Sequence, residues 1–161
     1  MSNFTISTIV SAYTKAQVDY VQCFIALYIS YNTWYHEVTE TTNDRRALTL
    51  LKKRYIIWDD YREGKVLRAL RPYMEQLVEC TTREPLHSQA KAWNGEVAHQ
   101  NDWHSLIEYW YQVRCQLVHG STMLAVYVWL AYHTLNVFME EIVRRMMTQK
   151  VATPHVDMQR V

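Results

Sequence analysis

Apolar side chains recur every three or four positions along most of this chain, which is the period of one face of an α-helix. Short polar stretches separate the apolar runs and predict the turns between helices. Pro72 lies inside the third run and predicts either a kink there or a split into two pieces. The pattern predicts five helices. Three cover residues 11–36, 44–61 and 65–80, the fourth runs from an N-cap at Asn101 or Asp102 to the turn before Gly120, and the fifth covers residues 122–149.

Two segments lack a helical pattern. Residues 81–101 contain Pro85, Asn94 and Gly95 and are predicted to form a long loop with one helical turn at most. Residues 151–161 are predicted to be a disordered tail, which leaves residues 1–150 as a single domain. The chain has only 3 glycines and 3 prolines. Because a β-rich fold needs many tight turns, we expect an all-α fold, a bundle of about five helices.

The charge balance places limits on binding to polyanions. The net charge is +1, so no overall field attracts nucleic acid, and any contact must come from local clusters. For each cluster the alternative is an ordinary solvated helix face. The candidate clusters are Arg45 with Arg46, Lys52 with Lys53 and Arg54, Arg68 with Arg71, and Arg144 with Arg145.

Cysteine usage and hydropathy indicate a cellular compartment. Cys23, Cys80 and Cys115 are odd in number and show no framework spacing, which favours reduced thiols. The N-terminus has no basic segment before an apolar one, as a signal peptide would. The longest apolar stretch is too short to span a bilayer, which takes about 20 residues. We therefore expect a cytoplasmic protein that does not enter membranes.

The segment with the most chemical content lies where the fourth predicted helix ends. Arg114 and His119 are five positions apart there, and Gly120 is the natural residue for a left-handed turn that ends the helix. An arginine can clamp a phosphate and a histidine can move protons near neutral pH, so the pair could cleave RNA without a metal. On spacing alone, the alternative is a surface arginine and a helix-terminal histidine stabilised by the helix dipole.

Helix geometry sets a condition on this pair. Five helical positions rotate by about 140° and rise by about 7.5 Å, so the two side chains do not share one face of an ideal helix. They can converge if the helix ends before His119, or if two subunits face each other across a shared cleft. A helix C-terminus also repels phosphate, and free N–H groups from Ser121 to Leu124 at the start of the next helix would offset this.

The motif segment resembles a known family. Residues 111–120, with the sequence YQVRCQLVHG, are similar to the Arg-x4-6-His signature of HEPN domains (higher eukaryotes and prokaryotes nucleotide-binding). Residues 26–35, with the sequence ALYISYNTWY, resemble the first long helix of small bacterial HEPN proteins, which often carry an asparagine and aromatics there. The resemblance in helix order spans residues 10–150. It implies a helical bundle that dimerises and, in many members, a metal-independent endoribonuclease in toxin–antitoxin, phage-defence or RNA-processing systems.

The resemblance also implies roles for individual residues. His119 would accept the proton of a ribose 2′-OH, which attacks the adjacent phosphate and leaves a 2′,3′-cyclic phosphate, while Arg114 holds that phosphate. Asn32, Gln116 and Ser121 are candidates for supporting or orienting these groups, although a structural hydrogen bond explains Asn32 equally well. A second His119 or water would protonate the leaving group. No metal or other cofactor is expected. The expected partners are RNA, a second copy of the chain and an antitoxin or defence-system protein, and DNA should not be cut.

Other interpretations stay open. Cys115 follows the arginine where many active family members have a polar residue, often asparagine, and this favours a non-catalytic module that binds RNA or nucleotides or serves in assembly. A second alternative is a helical protein–protein interaction domain, for which the motif would be an accident. A two-metal bundle site is also conceivable, because Glu84 with His87 and Glu96 with His99 have the Glu-x-x-His spacing. Both pairs lie in the predicted loop, which disfavours a metal site.

Overall fold

Six α-helices make up the secondary structure of the part of the chain that the computed structural model describes, residues 1–16, 19–54, 64–86, 93–121 and 123–152. No strand occurs within those ranges, which confirms the predicted all-α fold class. The helices are α1 (Asn3–Ala16), α2 (Tyr20–Thr39), α3 (Asp44–Lys53), α4 (Lys65–Arg83), α5 (Trp103–Val118) and α6 (Ala125–Ala152).

The longest helix, α6, lies at the centre of the packing. It contacts α2, α4 and α5, while α3 packs against α2 and α5. The core between α2, α5 and α6 is aromatic: the Tyr31 ring meets Trp110 edge-on at 5.4 Å between centroids and Phe138 at 6.0 Å. The buried Trp110 indole donates a 2.8 Å hydrogen bond to the Thr134 hydroxyl, so its N–H is satisfied in the core. These contacts fix the helix that carries the Arg/His motif against α2.

The prediction of one helix over residues 11–36 is wrong. α1 already begins at Asn3, and α2 starts afresh behind Asp19. The Asp19 Oδ1 accepts a hydrogen bond of 3.3 Å from the backbone N–H of Gln22. An aspartate at the N-cap satisfies an N–H that the first turn leaves free, and this favours a new start over continuation of α1.

The second and third predicted helices also differ from the structure. α3 begins at Asp44 as predicted but ends at Lys53, where it was expected to reach residue 61. Arg54 takes the C-cap position, where its backbone N–H bonds to the Leu51 carbonyl at 3.1 Å. Residues 55–63 lie outside the described part of the chain. α4 continues through Pro72 to Arg83, so the predicted split there does not occur, and Pro72 lies on the exposed face of a helix whose opposite face is buried.

The later boundaries are closer to the predictions. α5 begins behind Asp102, whose Oδ1 accepts the Ser105 backbone N–H at 3.2 Å, which confirms one of the two predicted caps. The described parts of the connection before it, residues 84–86 and 93–102, are irregular as expected. α6 begins at Ala125, three residues later than predicted. It includes Val151 and Ala152, so the predicted tail is wrong for those two, and residues 153–161 lie outside the described part of the chain.

α1 differs from the other helices in its exposure. Each of its described side chains is exposed, including those of Phe4, Ile9 and Tyr13. A helix of 14 residues is only marginally stable in water by itself. The apolar side chains of α1 are exposed, so their burial does not supply the missing stability. Despite these apolar stretches, no helix within the described ranges is long and apolar enough to cross a bilayer.

Candidate functional site

Arg114 presents its guanidinium over an aromatic ring. The residue lies half-buried near the end of α5, and its Cζ is 5.8 Å from the centroid of the Tyr28 ring on α2. At that distance the ring face attracts the cation and holds it in one direction. Among the described residues, no carboxylate pairs with this guanidinium. Its hydrogen-bond donors are therefore available to an anion that enters from solvent.

His119 occupies the C-cap of α5 and is exposed to solvent. Its backbone is near-helical, with φ of −83° and ψ of 4°, and its N–H still bonds to the Cys115 carbonyl at 3.0 Å. α5 therefore ends at Val118, one residue before His119, as one of the two predicted arrangements requires. The near-helical backbone of His119 nevertheless directs its side chain about 140° away from that of Arg114, so the end of the helix does not by itself turn the two towards each other.

A regular turn ends α5 immediately after His119. Gly120 has a φ of 72°, its N–H donates to the Leu117 carbonyl at 3.3 Å, and the Ser121 N–H donates to the Gln116 carbonyl at 2.9 Å. This pair of bonds is a Schellman motif, as the position of the glycine predicts. The backbone of Gln116 and Ser121 thus closes the helix. Because the Ser121 N–H is occupied by this bond, the expectation that it would be free to offset the helix dipole is wrong.

Replacing Gly120 by alanine is expected to lower stability without disturbing any contact. A Cβ at this position would meet no atom within 4 Å, so the only cost is the left-handed backbone, about 1 kcal/mol. Urea unfolding should show a lower midpoint with an unchanged slope. Gly120→Asn, which tolerates this backbone better, should recover part of the loss. Equal losses for both variants would contradict this explanation.

Asn32 lies in a cluster of four side chains where α2 meets α3, named here the Asp44 cluster: Asn32, Tyr35, His36 and Asp44. The Asp44 Oδ1 accepts hydrogen bonds from the Tyr35 hydroxyl at 2.7 Å, from His36 Nε2 at 2.8 Å and from Asn32 Nδ2 at 3.1 Å. The Asn32 amide also donates to the Tyr35 hydroxyl. The recorded partners of Asn32 are these residues and not His119.

His36 is fixed by acceptors on both sides of its ring. Nδ1 is 2.5 Å from the Thr41 carbonyl oxygen, and Nε2 faces the carboxylate of Asp44. Nε2 also lies 3.3 Å from the Asn32 amide nitrogen, so three neighbours fix the position of the ring. The Thr41 contact is set by Glu40, which turns the chain between α2 and α3 with a left-handed φ of 54°. A non-glycine residue in that conformation is uncommon, and it marks this corner as closely specified.

The Asp44 cluster and Arg114 share one tyrosine. The Tyr28 ring lies under Arg114, and its hydroxyl is 3.5 Å from the Tyr35 hydroxyl, which in turn donates to Asp44. Burial raises the pKa of both Tyr28 and Tyr35, so both phenols stay protonated at neutral pH. The structure therefore brings Asn32 and Arg114 to the same side of the bundle, on α2 and α5.

His36 and Asp44 were not among the residues singled out in the sequence. A signal for them exists, because Asn32, Tyr35 and His36 have the spacing of one helix face. Asp44 follows directly after Asn43, the residue that caps α3 by accepting the Arg46 N–H at 2.9 Å. Neither feature reveals that the loop of residues 40–43 folds the two helices onto each other.

Two of the predicted basic clusters are partly neutralised. The buried Glu108 of α5 accepts hydrogen bonds from Arg45, at 2.6 Å, and from Lys52. Burial alone would raise the pKa of Glu108, but the bonds from the two cations outweigh it and lower that pKa. These cations hold α3 against α5 and are not free for a polyanion.

The Arg144 and Arg145 pair is also neutralised. Both side chains reach Glu141 on the same helix, at 2.5 and 3.0 Å, and the bonds from Arg144 chiefly lower the pKa of Glu141 to about 2. The side chains of Arg68 and Arg71 lie exposed on α4. Most of the basic positions singled out in the sequence thus belong to helix surfaces or ion pairs.

Neither a metal site nor a known relative assigns a further role to these residues. Within the described ranges, no group of three or more His, Cys, Asp or Glu side chains is close enough to hold a metal ion. His87, one member of a Glu-x-x-His pair, lies outside those ranges. Compared with known proteins, the chain matches no family model, no curated protein and no solved structure.

Proposed function

We propose that this chain is a metal-independent endoribonuclease of the HEPN type that acts as a homodimer. Arg114 clamps the scissile phosphate, and His119 transfers protons as the ribose 2′-OH attacks it. Gln116 and Ser121 close the helix that carries these two groups, and Asn32 lies on the same side of the bundle as Arg114. The activity fits a toxin–antitoxin or phage-defence setting, in which an antitoxin or defence-system protein controls cutting. The resemblance of residues 26–35 and 111–120 to HEPN segments supports this assignment.

The observation that carries the proposal is the position of the Arg114 guanidinium. Arg45 and Lys52, which are nearby cations, are bound by Glu108, whereas Arg114 lies on Tyr28 with no carboxylate partner among the described residues. A guanidinium held in this way can give two parallel hydrogen bonds to a phosphate without first breaking an ion pair. This is what a phosphate clamp requires.

The chemistry follows from the two groups in a dimer. In the proposed dimer, His119 of one subunit lies beside Arg114 of the other, an arrangement that suits side chains which leave α5 about 140° apart. The 2′-OH loses its proton to an imidazole, its oxygen bonds to phosphorus, and the 5′-oxygen leaves with a proton from a second imidazole or from water. The products are a 2′,3′-cyclic phosphate and a 5′-OH. Proton transfer of this kind contributes typically 10²- to 10⁴-fold in rate.

The test is cleavage of an end-labelled RNA by the purified full chain in excess EDTA. We expect cutting to persist without divalent ions and the 3′ product ends to be 2′,3′-cyclic phosphates. DNA of the same sequence should stay intact because it lacks the nucleophile. Arg114→Ala and His119→Ala serve as the matched inactive references. Cutting that EDTA abolishes, or that leaves 5′-phosphate ends, would contradict the mechanism.

A second candidate function is a non-catalytic RNA-binding module of the same fold. The divergence of Arg114 and His119 within one chain favours it, as does Cys115 after the arginine. The same assay separates the two functions. RNA that is bound but never cut, with binding that Arg114→Ala removes, would favour the module.

A further inference from the structure

We propose that Asp44 is the residue that recognises the ribose, by accepting a hydrogen bond from the 2′-hydroxyl of the nucleotide on the 3′ side of the phosphate held by Arg114, which is not the hydroxyl that attacks. This inference deepens the proposed function and rests on it for the identity of the ligand as RNA. It assigns to the Asp44 cluster the distinction between RNA and DNA.

The first support is that one carboxylate oxygen is saturated and the other is open. Three donors converge on Oδ1, from Asn32, Tyr35 and His36. Oδ2 has no hydrogen-bond partner among the described residues, and the Asp44 side chain is 29% exposed. A carboxylate that is anchored through one oxygen can offer the other in a fixed direction to a donor that arrives from solvent.

The second support is that the backbone around Asp44 is fixed. Asp44 begins α3 directly after Asn43, whose side chain caps the helix by accepting the Arg46 N–H at 2.9 Å, and the corner before it turns at Glu40 with a φ of 54°. Carboxylates accept shorter and stronger hydrogen bonds than neutral groups, so Oδ2 is a strong acceptor for a hydroxyl.

The third support is the position of Asp44 beside Arg114. The Tyr35 hydroxyl that donates to Asp44 at 2.7 Å lies 3.5 Å from the Tyr28 hydroxyl. After burial, which is the main cause, the Asp44 charge also contributes to the raised pKa of Tyr28 and of Tyr111. Tyr28 contacts the Arg114 guanidinium, and Tyr111 precedes Arg114 by one helical turn. One side of the bundle therefore carries an open cation and an open anion.

A ribonucleotide has the chemistry that fits both charges. Its phosphate satisfies Arg114, and its 2′-hydroxyl is a neutral donor that a carboxylate can accept. A second phosphate would be repelled by Asp44, and a deoxyribose would leave the carboxylate without a partner. Because the 2′-OH is what distinguishes RNA from DNA at such a site, Asp44 is placed to read that difference.

The test measures binding with cleavage switched off. In the His119→Ala background, affinity is compared for an RNA, the matching DNA and the matching 2′-O-methyl RNA at one salt concentration. We expect the RNA to bind more tightly, and Asp44→Asn to weaken RNA binding about ten- to a hundredfold, as expected for a hydrogen bond to a charged group. The affinity for DNA should stay the same or rise, because a repulsive charge is gone.

Two controls separate recognition from loss of structure. Asp19→Asn makes the same chemical change at the start of α2, where asparagine also caps well, and should not alter the preference for RNA. Asp44→Asn keeps the Asn43 cap of α3, and its urea midpoint reports whether the fold survives. A scan of single 2′-deoxy positions in the RNA needs no substitution at Asp44, and we expect the loss of affinity to concentrate at one nucleotide.

The outcomes also distinguish this inference from the proposed function. A preference for RNA that Asp44→Asn removes, in a protein that never cuts, would support the inference and overturn the nuclease. Equal losses for RNA and DNA, no preference in the parent, or deoxy effects spread over all positions would overturn the inference while leaving cleavage intact.

Discussion

Chains that carry His119→Ala are expected to lose 10²- to 10⁴-fold in RNA cleavage, and to regain about a quarter of the parent activity when mixed with equal amounts of Arg114→Ala chains. Each variant alone is inactive because every site lacks one group. In a mixed dimer, one site receives Arg114 from one chain and His119 from the other. Random pairing makes half of the dimers mixed, with one intact site of two.

This recovery is what the proposed two-subunit site predicts. α5 ends at Val118 and His119 keeps a near-helical conformation, so the backbone directs Arg114 and His119 to different sides of the helix. The measurement is the initial rate of cleavage of a labelled RNA after the two variants are unfolded together and refolded. Mixing either variant with an Arg114→Ala/His119→Ala double variant should restore nothing. Recovery that is absent although mixed dimers form would contradict the two-subunit site.

The motif helix is the part of the structure that the sequence predicts best, because its signals are local. Asp102 caps its start, and Gly120 takes the left-handed position that closes its end. Both depend on bonds between residues within a few positions of each other. The break before Asp19 is equally local, but the helical spacing of apolar residues continues across it. The signal for this break is Asp19 itself, a strong N-cap residue inside a helical pattern.

The Asp44 cluster shows why the rest could not be predicted. The three donors of α2 share a helix face, but Asp44 joins them only because the corner at Glu40 reverses the chain. The link to Arg114 depends on the packing of α2 against α5. Periodicity gives the face that a helix buries and not the partner that it buries against, so Asn32 could be selected while its partners could not. For the same reason, the periodicity does not predict that Glu108, an acidic residue on a buried helix face, pairs with residues of α3.

Replacing Glu108 by glutamine is expected to lower the free energy of unfolding at pH 7 by about 2 kcal/mol, because it leaves Arg45 and Lys52 beside a neutral side chain. The loss is smaller than for a fully buried ion pair, since both cations keep some contact with water. Glu79→Gln is the matched control. It removes the same charge from an ion pair with Arg83 whose two side chains are both exposed, and it should change stability only slightly.

The pH dependence of this difference identifies the ion pair as its cause. The pKa of Glu108 in the folded state is lowered from its ordinary value of 4.5, so its contribution is complete above that value and is lost as the pH falls through the folded pKa. Urea unfolding of parent and variant from pH 7 to pH 3 should therefore give curves that converge at the acid end. A gap that stays constant down to pH 3 would mean that the glutamine perturbs packing instead. In that case α3 would be held against α5 by its apolar side chains, Leu48 and Leu51, rather than by the buried carboxylate.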